Sequence, residues 1–102
     1  MNIKYNLSNG VLRFYLIGEL DECTAQKSRI VLDEAIEKNI SVNTIIFNLS
    51  KLTFMDSTGI GMMIGRYKKA KKGLIKIYIE SPSKEIGKIL QLSGLYQIMP
   101  LL

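Results

Sequence analysis

Val42-Asn43-Thr44-Ile45-Ile46-Phe47-Asn48-Leu49, followed shortly by Phe54-Met55-Asp56-Ser57-Thr58-Gly59-Ile60-Gly61, is the stretch that decides the fold. Its first part holds a β-branched and aromatic run, Ile45-Ile46-Phe47, of the kind found in strands covered on both faces. Its second part opens a helical period through Ile60, Met63, Ile64, Tyr67 and Lys71, running to about Lys72 with Gly73 as the C′ residue. A strand leading through a short polar loop into a helix is the repeating unit of α/β proteins. Upstream, Asn9-Gly10 between Ile3–Leu7 and Val11–Ile17 predicts a β-hairpin, with Gly18 closing its second strand. Thr24 to Lys38 reads as a helix with Ala25, Ser28, Leu32 and Ile36 on one stripe, Val31 and Ala35 beside it, capped by Thr24 or Cys23 and ended by Asn39. Downstream, Leu74 to Ile79 is a strand, and Ser81-Pro82 predicts the start of a helix carrying Ile86, Ile89 and Leu90. Ser93-Gly94 ends that helix, and Leu95 to Leu102 is a short apolar tail. Strand–helix–strand passages are right-handed parallel crossovers. The expectation is one α/β domain over residues 1–102, with a mixed sheet of four or five strands, an N-terminal hairpin and three or four helices.

Length and composition agree with that reading. The 102 residues are 47% hydrophobic and 23% charged, which argues against disorder and against fibrous repeats. There is no histidine and a single cysteine, Cys23, so Ser-His-Asp and Cys-His nucleophiles and an intramolecular disulfide are excluded, and structural zinc is not expected. A lone thiol fits a reducing compartment. The N-terminal residues hold no continuous apolar stretch of signal-peptide type, and no run approaches the roughly 18 residues of a membrane span. A cytoplasmic protein without membrane contact is expected.

The net charge of +5 is concentrated in Arg66, Lys68, Lys69, Lys71, Lys72 and Lys76, with no acid among them. No aromatic or glycine-rich recognition motif is interleaved, so a solvated helix end is favoured over a nucleic-acid footprint, and no direct nucleic-acid partner is expected. Met55, Met62 and Met63 read as packing residues, with one of the adjacent helical pair directed away from the core.

Open α/β sheets place their sites in loops at the carboxyl ends of parallel strands. Two loops qualify: Gly18-Glu19-Leu20-Asp21-Glu22 and Met55-Asp56-Ser57-Thr58-Gly59. In a parallel arrangement they share an edge, bringing Asp21 toward Asp56 and Ser57. Asp56 or Ser57 caps the following helix. Two carboxylates there are compatible with acid–base or cation chemistry, but without further parts catalysis is disfavoured, and no metal or cofactor is expected. Gly59-Ile60-Gly61 is too short for a dinucleotide loop, and no Lys follows in P-loop spacing.

Phe54 to Gly61 resembles the signature of the STAS-domain anti-sigma factor antagonists of bacteria. Gly18-Glu19-Leu20-Asp21 is similar to that family's loop after the second strand, Gly65-Arg66-Tyr67-Lys68 continues the signature in the manner of its sporulation branch, and Leu92-Ser93-Gly94-Leu95 resembles its closing motif. The family pattern continues past that motif into a further helix, whereas this sequence stops at Pro100-Leu101-Leu102, either cut short or with a reduced tail; exposed Leu101 and Leu102 are then expected to promote self-association. The resemblance implies a partner switch without enzymatic activity of its own. The unphosphorylated antagonist binds an anti-sigma factor that is also a serine kinase and frees the sigma factor; the kinase phosphorylates it, and a serine phosphatase resets it. The acceptor position corresponds to Ser57, and Asp21, Asp56, Thr58 and Gly59 to the rim that the partner contacts, with Gly61 serving close packing. The alternative is a STAS docking module of another pathway, of general-stress type or independent of sigma factors.

Overall fold

The computed structural model describes residues 1–102. In chain order the elements are β1 (Asn2–Ser8), β2 (Val11–Leu20), α1 (Ala25–Lys38), β3 (Thr44–Asn48), β4 (Leu52–Met55), α2 (Ser57–Lys72), β5 (Lys76–Glu80) and α3 (Lys84–Leu92), followed by a 3₁₀ turn over Leu95–Gln97. Asn9 and Gly10 both take positive φ, 52° and 78°, the requirement of the tight turn that joins β1 to β2 antiparallel. Both crossovers are parallel: α1 links β2 to β3, and α2 returns the chain to β5 beside β3. The sheet order is β1-β2-β3-β5, with β4 also on β2.

The ten-residue β2 organises this arrangement. Its first half, Val11–Tyr15, pairs with β3, and Gly18–Leu20 pairs with β4. Gly18 therefore does not close the strand: at φ +110° it marks an irregularity where the register shifts from one partner to the next, and the strand runs on to Leu20. The fifth strand, β4, is too short to stand out in the sequence; it forms because β2 extends past the end of β3.

One sheet face, carrying Leu12, Phe14, Leu16, Ile45, Phe47, Ile77 and Ile79, is fully buried, and Phe14 stacks on Phe47 with ring centroids 5.4 Å apart. Ala25, Ser28, Leu32, Ala35 and Ile36 form the buried stripe of α1, while Val31 is exposed. On α2 both Met62 and Met63 join the core, so neither points away from it as expected. The opposite sheet face is half-buried and ordered by a polar cluster: Glu80 receives Arg13 Nε at 3.0 Å and Nη2 at 3.3 Å, and Asn48 Nδ2 at 2.9 Å.

Several boundaries differ from the sequence expectation for local reasons. The C-cap of α2 is Gly73 at φ −91°, and Leu74 rather than Gly73 takes the left-handed conformation, at φ 60°. The chain leaves β5 through Ser81 at φ 52°, and the cap of α3 is Ser83, whose hydroxyl accepts the Ile86 N–H at 3.1 Å. The C-terminal tail is built into the structure: Leu95 and Met99 are buried, and Leu101 bridges to Ile79 in parallel. Leu101 and Leu102 remain exposed, as expected. Arg66 is not part of a solvated charge run. It is buried between the helices, with Nε 2.8 Å from Asp33 Oδ1, and Lys69 pairs with Glu37. Burial lowers the Arg66 pKa from its ordinary value, with Asp33 opposing that shift and Arg29 adding to it.

Candidate functional site

The carboxyl ends of β2 and β4 lie side by side, because Leu20 is the register partner of Met55 and the Asp56 N–H donates to the Leu20 carbonyl at 3.3 Å. The two loops singled out in the sequence therefore meet at one edge, as the parallel crossover requires.

In the first loop Asp21 shapes a tight turn into α1. Its Oδ1 accepts the N–H groups of Cys23 at 2.9 Å and Thr24 at 3.1 Å, while its own N–H donates to Thr24 Oγ1 at 3.0 Å. The Asp21 carbonyl accepts from Ala25 N at 2.9 Å. Thr24 is the N-cap residue by position but makes no side-chain cap bond; its hydroxyl donates to the Glu19 carbonyl at 2.9 Å. Asp21 thus spends its near oxygen on the turn and remains half-exposed.

In the second loop Asp56, not Ser57, is the N-cap of α2. Its extended backbone aims Oδ1 at the Gly59 N–H, 3.0 Å away, and its carbonyl accepts from Ile60 N at 3.0 Å. Ser57 is then the first helical residue, and it and Thr58 are exposed. No side-chain bond ties down the Ser57 hydroxyl, which stands at the positive end of a 16-residue helix.

Gly59 is buried against the end of β2. A Cβ there would stand 2.8 Å from the Leu20 carbonyl oxygen and 3.0 Å from both Leu20 Cγ and Met55 Cγ. Gly61 has nothing within 4 Å of such a Cβ and is exposed. The packing role expected of Gly61 belongs to Gly59. A shallow groove passes from Glu22, Gln26 and Arg29 on the α1 side to Thr58, Gly61 and Met62 on α2; Arg29 and Gln26 were not singled out in the sequence, since nothing but the pairing of α1 with α2 brings them to this end. Nowhere do three or more His, Cys, Asp or Glu side chains gather as a metal site would need. No helix is long and apolar enough to cross a membrane.

A five-stranded mixed sheet with an N-terminal hairpin, crossed by helices and presenting a capped serine at the head of α2, defines a class, and the STAS domain pattern matches residues 2–102. The chain belongs to the STAS domain family. Among relatives, it is 35% identical over 103 residues to the anti-sigma F factor antagonist of Paenibacillus polymyxa, covering 99% of this chain and 87% of that one. It is 38% identical over 80 residues to the anti-sigma F factor antagonist of Lysinibacillus sphaericus, covering 78% and 68%. A Staphylococcus aureus anti-sigma-B factor antagonist is 31% identical, over 85% and 82%. Among solved structures, the unphosphorylated anti-sigma factor antagonist SpoIIAA superimposes with a TM-score of 0.81 at 29% identity, covering 99% of this chain and 88% of that one. The phosphorylated form of the Bacillus cell fate determinant SpoIIAA gives 0.72, covering 99% and 91%.

Proposed function

We propose that this protein is an anti-sigma factor antagonist, operating without catalysis of its own in the cytoplasm. Unphosphorylated, it binds an anti-sigma factor that is also a serine kinase and so releases a sigma factor; phosphorylation of Ser57 ends the binding, and a serine phosphatase restores it. The observation that carries this reading is the exposed Ser57 hydroxyl, free of side-chain bonds, at the first position of α2 and directly after the capping Asp56. The kinase transfers the γ-phosphoryl group of ATP to Ser57 Oγ, releasing ADP and the hydroxyl proton. The fold tolerates the product, since helix N-termini accept phosphate. The interface does not: the added charge of about −1.5 to −2 stands beside Asp56 and near Asp21, and burying it against a partner costs several kcal/mol. Asp21, Asp56, Ser57 and Thr58 form the rim, and Gly59 holds the helix close enough for the two loops to present one surface. The resemblance to anti-sigma F factor antagonists and to SpoIIAA favours sporulation transcription as the process controlled.

Incubation with the organism's anti-sigma kinase and ATP, followed by intact-mass and site-mapping spectrometry, tests this. One phosphate on Ser57, absent from Ser57→Ala, is expected. No phosphate from a kinase active on a control substrate would favour a STAS docking module that works without phosphorylation.

A further inference from the structure

β1 is the border of the sheet, and its outer edge is open along the whole strand. No backbone group of Asn2–Ser8 bonds outside the ladder with β2, and every residue but Ile3 is exposed. The direction of the free groups follows from β2. The Gly10 carbonyl accepts from β3, taking the Thr44 N–H at 3.4 Å, so Gly10, Leu12, Phe14 and Leu16 address β3 and the residues between them address β1. Val11, Arg13, Tyr15 and Ile17 hold the ladder to their register partners Ser8, Asn6, Lys4 and Asn2. Ile3, Tyr5 and Leu7 therefore turn both N–H and carbonyl away from the sheet.

The same three residues carry the apolar side chains of the strand. They stand opposite Leu16, Phe14 and Leu12, on the face that the helices cover farther in. That cover stops short of β1: Phe14 and Leu12 are fully buried, whereas Tyr5 is 45% and Leu7 52% exposed, although the Tyr5 ring lies 5.7 Å from that of Phe14. Between the start of β1 and α1 runs a groove of about 410 Å³, lined by Met1, Ile3, Cys23, Lys27, Ser28 and Val31 among others. The usual protections of an edge are absent, since β1 has seven residues, an unbroken register, no proline and a single charge, Lys4.

We propose that β1 pairs antiparallel with β1 of a second copy, about a two-fold axis through Tyr5, to make one continuous sheet. The sequence Asn2-Ile3-Lys4-Tyr5-Asn6-Leu7-Ser8 is self-complementary about its centre. Tyr5 meets Tyr5 of the second copy, Ile3 meets Leu7, and all of these have their backbone groups facing outward, as a hydrogen-bonded pair requires. Lys4 selects this register: centred on Lys4, the two strands would oppose like charges, but centred on Tyr5 each Lys4 faces Asn6. Leu7 of the second copy then lies beside Ile3, at the mouth of the groove under Val31. A strand pair of this length buries less than the roughly 1,200 Å² of a stable complex, so the dimer is reversible, with a Kd on the order of 100 µM.

The test uses the full chain, ¹⁵N-labelled, in sedimentation equilibrium and amide exchange from about 20 µM to about 1 mM. A dimer is expected at the upper end, with exchange of the Ile3, Tyr5 and Leu7 amides slowed by about threefold or more across the range. Tyr5→Lys sets two ammonium groups opposite each other on the axis and is expected to weaken association by at least about tenfold, with the circular dichroism spectrum unchanged. An equimolar mixture of Tyr5→Lys and Tyr5→Glu is expected to associate again, a rescue that a merely structural role for Tyr5 would not give. A monomer throughout the range, or exchange of the three amides independent of concentration, would overturn the proposal. So would a dimer that Tyr5→Lys leaves intact, a charge-swapped mixture that stays monomeric, or association abolished by Leu101→Ser with Leu102→Ser, which would place the contact on the C-terminal segment.

Discussion

Gly59 touches Leu20: a Cβ at position 59 would stand 2.8 Å from the Leu20 carbonyl oxygen. That oxygen also accepts the Asp56 N–H, so the end of β2 and the start of α2 are joined through one atom. Gly59→Ala must separate them or bend the helix, at about 1–3 kcal/mol, the usual cost of overpacking. Gly61→Ala, in open space on the same helix, is expected to stabilise by about 0.5–1 kcal/mol through helix propensity. Urea denaturation of the two variants checks the contrast; equal effects would mean that the contact with Leu20 is not what fixes α2.

Asp56 combines a cap with a charge, and two substitutions separate them. Asp56→Ala removes the bond to the Gly59 N–H and should cost about 1 kcal/mol in stability. Asp56→Asn keeps an acceptor in place and should cost little. If partner binding depends on the carboxylate itself, Asn will lower affinity for the anti-sigma factor without lowering the melting temperature, measured by calorimetry alongside binding.

Ser57→Ala is expected to bind the cognate anti-sigma factor constitutively. Ser57→Asp should lose about 3 kcal/mol, more than a hundredfold in affinity, with unchanged stability. Isothermal titration of both variants reads this directly, and equal affinities would contradict an electrostatic switch.

On the opposite sheet face, the Asn48 hydrogen bond, with Arg13 adding to it and burial opposing, holds the Glu80 carboxyl below the usual carboxylate range. A carboxyl whose pKa is lower folded than unfolded contributes stability above its unfolded value and loses it as pH falls through the folded one. Glu80→Gln should therefore cost about 1 kcal/mol near neutral pH and almost nothing in strong acid. Unfolding free energy followed across the acid range checks the sign; a parallel offset at every pH would refute it.

Asp33 and Arg66 should respond unequally. Asp33→Ala leaves a buried guanidinium with no counter-charge and is expected to cost about 2–3 kcal/mol. Arg66→Met fills the same space without charge and leaves Asp33 partly hydrated, so it should cost about 1 kcal/mol or less. Chemical denaturation of each variant decides.

The hairpin, both crossovers and the meeting of the two loops at one edge were legible in the sequence, and the cap of α2 was narrowed to Asp56 or Ser57, because each rests on local chemistry: Asn9-Gly10 demands its turn, and Asp56 precedes a helical period. What escaped depends on partners distant in the chain. The pairing of Gly18–Leu20 with β4, the burial of Arg66 by Asp33 and the second buried methionine follow from where α1 and α2 come together, which no short window encodes. Gly59 and Gly61 are alike in sequence; only the path of β2 distinguishes them.

The division of β2 between two partners has a consequence for how the chain assembles. The hairpin of β1 and β2 needs only a two-residue loop and closes in microseconds. β3 must cross α1 to join it, a slower closure because the contact is non-local. β4 has only Gly18, Glu19 and Leu20 of β2 to pair with, and the start of α2 is tied to the same end of β2 through the Asp56 N–H. The edge that carries Ser57 thus hangs on three residues of β2, so a change at Gly18, Glu19 or Leu20 is felt at the head of α2 while the pairing of Val11–Tyr15 with β3 stays in place.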